Sequence, residues 1–366
     1  MSRFTQDGVD QLLEPVVEYG CSPWRASSQR ASDLYESGVR LWRKEDLVNI
    51  EQQLAQSRTA EKFTVRRLDG SLLHIKNPMF GVQNPIWKPY VEFQEYWRLV
   101  WAKPNIPPEL YTCTYLVDWD NLTLRNYEGP IENVHLLFES SRQKWNASAT
   151  CEALTSQLLD LLIGDGNSKK VTKVVCFGLG DLNFKPPDRW RIENNSQTED
   201  KRQPETNIIE GALIHHAIAL TIAEVTRSCI PAERSSVRLL TQDPKYSDET
   251  KALLRKIGFE ITGEYGAGGF AEVDDESIVF SAFAAAPVKQ MVADLALPVA
   301  IICAKKTSAG VYNHLRNLWA DPESPRTKQM WKEYETWKFP TPTVDIKLDG
   351  SLHQLEISAR IGERLS

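Results

Sequence analysis

The sequence predicts an α/β protein built on a Rossmann-like, mostly parallel sheet flanked by helices, with an N-terminal α+β extension. From residue 171 onward, short apolar runs alternate with helical stretches, which is typical of a parallel sheet covered by helices. Before that point, Asp69-Gly70 lies between two runs of alternating polarity. An Asp-Gly pair in this setting is the strongest short-range indication of a β-hairpin.

The N-terminal part predicts one helix and this hairpin ahead of a Trp- and Pro-rich stretch. The helix begins near Glu45, because Leu47, Ile50 and Leu54 recur at helical spacing. A helix and a hairpin cannot bury two faces by themselves. We therefore expect this extension, residues 31–164, to dock on the sheet unit.

The remaining boundaries follow composition and turn chemistry. Residues 1–30 are expected to be a loosely ordered lead-in, and the sheet unit occupies 165–340. The segment 341–366 predicts a C-terminal hairpin or tail, since Asp349-Gly350 repeats the turn of the first hairpin. The predicted strands of the sheet unit are 171–177, 237–241, 259–262, 277–283 and 298–303. Its predicted helices are 208–227, 248–257, 288–295 and both ends of 312–337.

Composition excludes several classes of protein. The chain has 366 residues, is 42% hydrophobic and 25% charged, and so resembles folded soluble proteins more than disordered ones. Its net charge of −6 disfavours a dedicated binder of duplex DNA or of an anionic membrane. No stretch is expected to be apolar enough for a membrane span.

Sequence motifs narrow the chemistry further. The six cysteines form no C-x-x-C pair, which disfavours a zinc ribbon or a disulfide scaffold. Walker A, H-E-x-x-H and G-x-S-x-G motifs are absent from the sequence. The first residues lack the pattern of a secretory signal. We expect an intracellular protein that is located in the cytoplasm, with the nucleus as a second candidate compartment.

Four blocks in the second half resemble, in order, the SRR1-like domain family, whose name abbreviates sensitivity to red light reduced. The blocks are Val174–Leu182, Leu239–Pro244 with the helix ending at Gly258, Gly269–Phe280 and Ala286–Asp294. With Leu34–Gly38 and the Glu45 helix ahead of them, they resemble the long fungal form, over about residues 34–340. The resemblance implies a Rossmann-like fold and links to circadian input, cell-cycle or cytoskeletal regulation and haem metabolism.

Five residues form the candidate ligand site. Gly178 and Gly180 follow the first strand of the sheet unit, where glycine lets backbone N–H groups approach a nucleotide. Asp243 ends the next strand, where adenosine-binding proteins place a carboxylate at the ribose, and Tyr246 could stack on a base. With Asp181, all five belong at the carboxyl ends of parallel strands, which meet at one edge of the sheet.

A purely structural interpretation fits the same residues. Asn183 stands where G-x-G-x-x-G requires its third glycine, so the glycines could simply turn the chain. Asp243-Pro244 could open a turn into a helix capped at Ser247 or Asp248. Both interpretations stay open at this point.

Two further clusters are interpreted as structural, so that no metal is assigned. Asp274-Asp275-Glu276 has carboxylates enough for Mg²⁺, but acids clustered before a strand usually form a solvated turn. His215-His216 lies within a helix without the spacing of a metal site and is interpreted as structural.

Two functions remain. The resemblance implies a regulatory or interaction protein, with protein partners contacting the N-terminal part that holds seven of the eleven tryptophans. The alternative is a biosynthetic transferase whose crevice holds an adenosine-containing ligand such as S-adenosylmethionine, a nucleotide or aminoacyl-tRNA. No complete set of nucleophile, base and orienting group is visible, so catalytic residues and cofactor are unassigned.

Overall fold

The computed structural model describes residues 23–101, 103–124, 131–163, 170–183, 188–202, 207–229, 236–282, 284–304, 321–340, 352 and 355–361. Its helices are α1 (Pro23–Glu36), α2 (Lys44–Ala55), α3 (Tyr96–Val100), α4 (Val134–Asn146), α5 (Ala149–Ile163), α6 (Asp188–Asn195), α7 (Asn207–Ser228), α8 (Asp248–Lys256), α9 (Gly268–Ala271), α10 (Val288–Leu295) and α11 (Pro325–Met330). Its strands are β1 (Lys62–Arg66), β2 (Leu72–Lys76), β3 (Trp87–Phe93), β4 (Tyr115–Asn121), β5 (Lys173–Phe177), β6 (Arg238–Gln242), β7 (Glu260–Ile261), β8 (Ser277–Ser281), β9 (Ala300–Ala304), β10 (Tyr334–Lys338) and β11 (Leu355–Arg360).

A seven-stranded sheet forms the centre of the fold, in the order β10-β11-β9-β8-β5-β6-β7. The five strands from β9 to β7 are parallel, and β11 and β10 add to them in antiparallel orientation. Counted from β5, the parallel strands have the Rossmann order 3-2-1-4-5, which reverses direction between β5 and β8. The predicted α/β class, with a mostly parallel Rossmann-like sheet, is confirmed.

One face of this sheet is covered by α4, α5 and α7. Val174, Cys176 and Ile278 point to this face and belong to the same buried apolar cluster as the three helices. Within the described part of the chain, α7 is the helix long and apolar enough to cross a membrane, which the sequence analysis did not expect. However, 78% of its apolar window is buried inside the fold, as in the core helix of a globular protein.

The opposite face is covered by the part of the N-terminal extension before α4, together with α9, α10 and α11. Val175, Phe177 and Val279 alternate with the residues of the first face and pack in a second buried cluster. That cluster contains side chains from α1, α2, β1, β3 and α3. The expectation that the extension docks on the sheet unit is confirmed.

The extension contains the predicted hairpin. β1 pairs with β2 in antiparallel register, with Arg66 opposite Leu72. Gly70 adopts φ +86°, which favours glycine, and the Asp69 carboxylate accepts the Ser71 N–H at 3.0 Å. The second ribbon, β3 with β4, continues the extension toward the sheet.

Two expectations at the ends of the chain were wrong. Residues 23–30, placed in the loosely ordered lead-in, form the first part of α1, because Ser28, Ala31 and Tyr35 are buried at helical spacing. Residues 334–338 were expected to be helical but form β10, which pairs with β11.

The C-terminal strand belongs to the central sheet. β11 lies between β9 and β10, and its side chains Leu355, Ile357 and Ala359 are buried in the apolar cluster of the first face. The tail was expected to fold on itself around Asp349-Gly350, a turn that lies outside the described residues.

Candidate functional site at the carboxyl edge of the parallel strands

The glycine turn after β5 is shaped by the packing of α7. Gly178 and Gly180 have φ of +63° and +91°, a region that side chains disfavour. The Gly178 N–H donates to the Gln242 carbonyl at 3.2 Å. A Cβ atom at Gly180 would lie 3.0 Å from the Cβ of Ala212 in α7. Both glycines are therefore required by the backbone conformation, and Gly180 also by the close approach of a helix.

Asp243 uses both carboxylate oxygens within this loop. Its Oδ2 accepts the Gly180 N–H at 3.2 Å, and its Oδ1 accepts the Lys245 N–H at 3.0 Å. Burial raises the pKa of Asp243, while these two N–H donors lower it. The carboxylate thus joins the turn after β5 to the turn after β6.

Asp181 connects the glycine turn to α8. Its Oδ1 accepts hydrogen bonds from the Ser247 N–H at 3.1 Å and from the Ser247 hydroxyl at 3.0 Å. Ser247 is the N-cap of α8 and accepts the Thr250 N–H at 3.2 Å. The nearby Asn183 is buried, and its Oδ1 accepts the Ile131 N–H at 2.7 Å.

Tyr246 lies in the core, where its hydroxyl bonds to residues outside the predicted site. Its hydroxyl is 2.9 Å from His216 Nε2 and 2.8 Å from the Thr241 hydroxyl. Burial lowers the pKa of His216 to about 3, so the ring is neutral. With Nδ1 donating to the Ala212 carbonyl at 2.7 Å, Nε2 accepts the Tyr246 O–H. The Tyr246 ring is therefore buried, where the sequence analysis had offered it for base stacking.

The acidic cluster after α9 has separate partners for its carboxylates. Asp274 accepts the Ser277 hydroxyl at 2.7 Å, and Asp275 accepts the Leu297 N–H at 2.8 Å. Glu276 pairs with Lys170. Across the described residues, no group of three or more His, Cys, Asp and Glu side chains is arranged to hold a metal ion.

A second polar cluster, which the sequence analysis missed, follows β8. The Lys289 N–H at the start of α10 donates to Asp321 Oδ2 at 2.9 Å, and the Lys289 side chain is buried. Gln290, also buried, accepts the Tyr96 N–H at 2.9 Å and donates to the Pro322 carbonyl at 2.8 Å. The available signal was two polar residues in the first turn of an otherwise apolar helix, Pro287-Val-Lys-Gln.

The extension also exposes apolar side chains around its second ribbon. We define the β3–β4 apolar patch as Phe80, Val82, Ile86, Trp87 and Leu122, which are 39–49% exposed. The Leu122 N–H donates to the Ile86 carbonyl at 2.8 Å, so the start of β3 and the end of β4 lie side by side.

The comparison with protein families agrees with this geometry. Residues 149–309 match the model of the SRR1 domain. No curated protein and no solved structure matches the chain. The matched segment begins with α5 and runs past β9, so it includes the five parallel strands, the predicted site residues and the Lys289–Gln290 pair. It does not include Asp321, β10, β11 or the part of the extension before α5. Residues 149–309 are therefore similar to the SRR1 domain.

Proposed function

We propose that the chain is a regulatory protein that binds protein partners through the β3–β4 apolar patch of its extension. One observation carries the proposal: five large apolar side chains, including Trp87, are exposed within a short part of the extension. Exposed apolar surface of this kind marks interaction sites in soluble proteins, and tryptophan is enriched among residues that dominate binding energy. The SRR1 resemblance supplies the setting, namely circadian input, cell-cycle or cytoskeletal control, or haem metabolism.

The geometry of the candidate ligand site gives indirect support to the regulatory protein over the transferase alternative. The Asp243 carboxylate and the Gly180 N–H, which an adenosine ligand would need, already bond to each other. The Tyr246 ring is buried. Gly178, Gly180, Asp181, Asp243 and Tyr246 thus remain a proposed site for the transferase alternative, which the Asp243 substitution below tests.

We also propose that the protein acts in the cytoplasm and the nucleus. All five cysteines that the structure describes are free thiols, four of them buried. Free thiols are typical of reducing compartments. Fluorescent tagging at either end of the full chain would test this, and retention in the secretory pathway would contradict it.

Substitution of the patch tests the main proposal. The double variant Ile86→Ser with Trp87→Ser removes two of the exposed apolar side chains while leaving the buried cluster beneath them intact. Partners captured from the native cell by the tagged full chain should be lost from this variant. The expected loss is about tenfold or more in recovered partner, since interface tryptophans contribute 2 kcal/mol or more.

The matched control is Leu136→Ser, which removes a side chain that is 53% exposed on α4, outside the extension's ribbons. It should retain every partner. Thermal melting must show that all variants are folded. An unchanged partner set in the double variant would contradict the proposal.

A further inference from the structure

We propose that Lys289 and Asp321 bind a small monocarboxylate that carries a hydroxyl or ammonium group on the carbon next to its carboxylate. This inference is independent of the proposed function, since it concerns the carboxyl edge of the central sheet and not the β3–β4 apolar patch.

The Lys289 ammonium is buried without a direct hydrogen bond or ion pair to a described residue. Lys289 is 2% exposed, and among the residues described no hydrogen bond or ion pair reaches its Nζ. Burying an unpaired ammonium costs several kcal/mol, so a site that keeps one is usually completed by an anion. Lys251 provides the contrast, because it is also buried but pairs with Glu264 at 2.8 Å and Asp248 at 3.2 Å.

Asp321 supplies an acceptor that is not used. Its Oδ2 accepts the Lys289 N–H, whereas its Oδ1 is buried and has no hydrogen-bond partner. A buried acceptor without a donor is costly and rare in native proteins. A ligand that presents an anionic oxygen to Lys289 and an O–H or N–H to Asp321 Oδ1 would satisfy both groups together.

The surrounding charges limit how negative this ligand can be. Burial raises the pKa of Asp321 to about 6. Lys289 lowers it, whereas Glu95 and Glu323 raise it, so three carboxyl groups and one ammonium are electrostatically coupled here. A dianion such as a phosphate monoester would add two negative charges opposite a single cation. A monocarboxylate adds only one negative charge, and the N-terminus of α10 favours a negative group.

The position of the pair is the usual one for ligands in this architecture. Lys289 follows β8, the neighbour of β5 across the point where the strand order reverses. Ligands of open α/β sheets bind at that crevice, outside the carboxyl ends of the strands. The exposed Ala285 lies in the turn between β8 and α10, where solvent reaches this edge.

Calorimetric titration of the full chain with L-lactate, L-serine, acetate and inorganic phosphate tests the proposal. Lactate or serine should bind at least tenfold more tightly than acetate, which has no donor for Asp321, and more tightly than phosphate. Lys289→Met should weaken the binding of lactate and serine at least tenfold. The control Lys251→Met removes a buried but paired ammonium and should retain that binding.

Asp321→Asn is the second variant. Its amide oxygen can still accept the Lys289 N–H, so the fold should persist. Its NH₂ group, however, faces the ligand's donor, so the preference for lactate and serine over acetate should be lost. The proposal is wrong if neither lactate nor serine binds wild type more tightly than Lys289→Met. It is also wrong if acetate or phosphate binds wild type as tightly as lactate and serine do.

Discussion

The two faces of the central sheet are covered in different ways. The first face packs against α5 and α7, which lie in the segment that matches the SRR1 domain, and against α4 just before it. The second face packs against α9 and α10 of that segment and against elements from outside residues 149–309, at both ends of the chain. The matched segment therefore supplies the five parallel strands and most of the first cover, while much of the second cover is built from sequence that the family model does not include.

The second face is also held by buried charged groups, whereas the buried Tyr246–His216 pair on the first face is neutral. The Arg326 guanidinium pairs with Asp294 at 2.7 Å and donates to the Tyr35 and Val39 carbonyls at 2.6 and 2.7 Å. Asp294 in turn accepts the Leu41 N–H at 2.6 Å. These bonds join α1, α10 and α11, three segments that are far apart in sequence.

Glu51 makes a second junction on this face. From α2, its carboxylate accepts the N–H groups of Tyr265, Ala267 and Gly268 at 2.8, 2.9 and 3.0 Å. The extension therefore shapes the loop after β7 as well as covering the sheet. Burial raises the pKa of Glu51, whereas these three donors lower it.

The largest expected effect comes from removing the second cover altogether. A fragment of residues 149–309 would expose the apolar residues of the second face, among them Val175, Phe177 and Val279. We expect it to aggregate, or to bind a hydrophobic dye without a cooperative thermal transition. The full chain, measured alongside, should melt cooperatively. A soluble, monomeric fragment with a cooperative transition would show that the extension is dispensable for folding.

Arg326→Leu should produce the next largest effect. The substitution leaves the Asp294 side chain, only 2% exposed, without its counter-ion. Breaking a buried pair in this way costs about 3–5 kcal/mol. Urea unfolding of the full chain measures the loss as a shift of the midpoint at constant slope.

The control for this measurement is Arg238→Leu at the opposite edge of the sheet. Arg238 pairs with Glu260 and Glu272, but it is exposed, so its loss should cost at most about 1 kcal/mol. Equal costs for the two variants would mean that the Arg326 junction contributes no more than a surface pair.

The sequence predicts what depends on local pattern. The hairpin at Asp69-Gly70, α10 at Val288–Leu295 and the parallel strands all follow from turn residues and apolar periodicity. It does not predict that β11 lies between β9 and β10, because that pairing joins segments whose contact no local pattern encodes. It also misses the start of α1, whose polar composition conceals its buried side.

The candidate site was likewise predictable in one respect and not in another. Parallel strands end at one edge, so the proximity of Gly180, Asp181 and Asp243 was predictable. The direction of each side chain was not, since it depends on competing partners. The burial of Tyr246 against His216 and the burial of Lys289 depend on helices that pack over the edge from elsewhere in the chain.

Tyr246→Phe probes the first face and should have an intermediate effect. It leaves His216 Nε2 without a donor and the Thr241 hydroxyl without its acceptor, both in the core. An unsatisfied buried group costs about 1–3 kcal/mol, measurable by urea unfolding. The control Tyr90→Phe removes an exposed hydrogen bond to Asp118, which water can replace, and should cost less than about 0.5 kcal/mol.

A Tyr246→Phe variant as stable as wild type would mean that water or repacking satisfies the histidine. The first face would then be held by apolar packing alone, and the contrast with the charged junctions of the second face would become sharper.

Asp243→Asn should have the smallest effect and separates the two interpretations of the glycine turn. Asparagine can keep the bond to the Lys245 N–H, but its NH₂ group then meets the Gly180 N–H, so one hydrogen bond is lost. We expect a loss of about 0.5–1.5 kcal/mol by urea unfolding. Asp248→Asn, an exposed aspartate at the start of α8, is the control and should change stability by no more than about 0.5 kcal/mol.

Ligand binding to the same variant decides between turn and site. If Asp243 only joins the two turns, S-adenosylmethionine and ATP should shift the melting temperature of wild type and Asp243→Asn equally. If Asp243 accepts a ribose hydroxyl, wild type should bind one of them about tenfold or more tightly than the variant, because a hydrogen bond to a charged group contributes about 1.5–3 kcal/mol. That outcome would require the carboxylate to exchange the Gly180 N–H for the ligand, and it would favour the transferase over the regulatory protein.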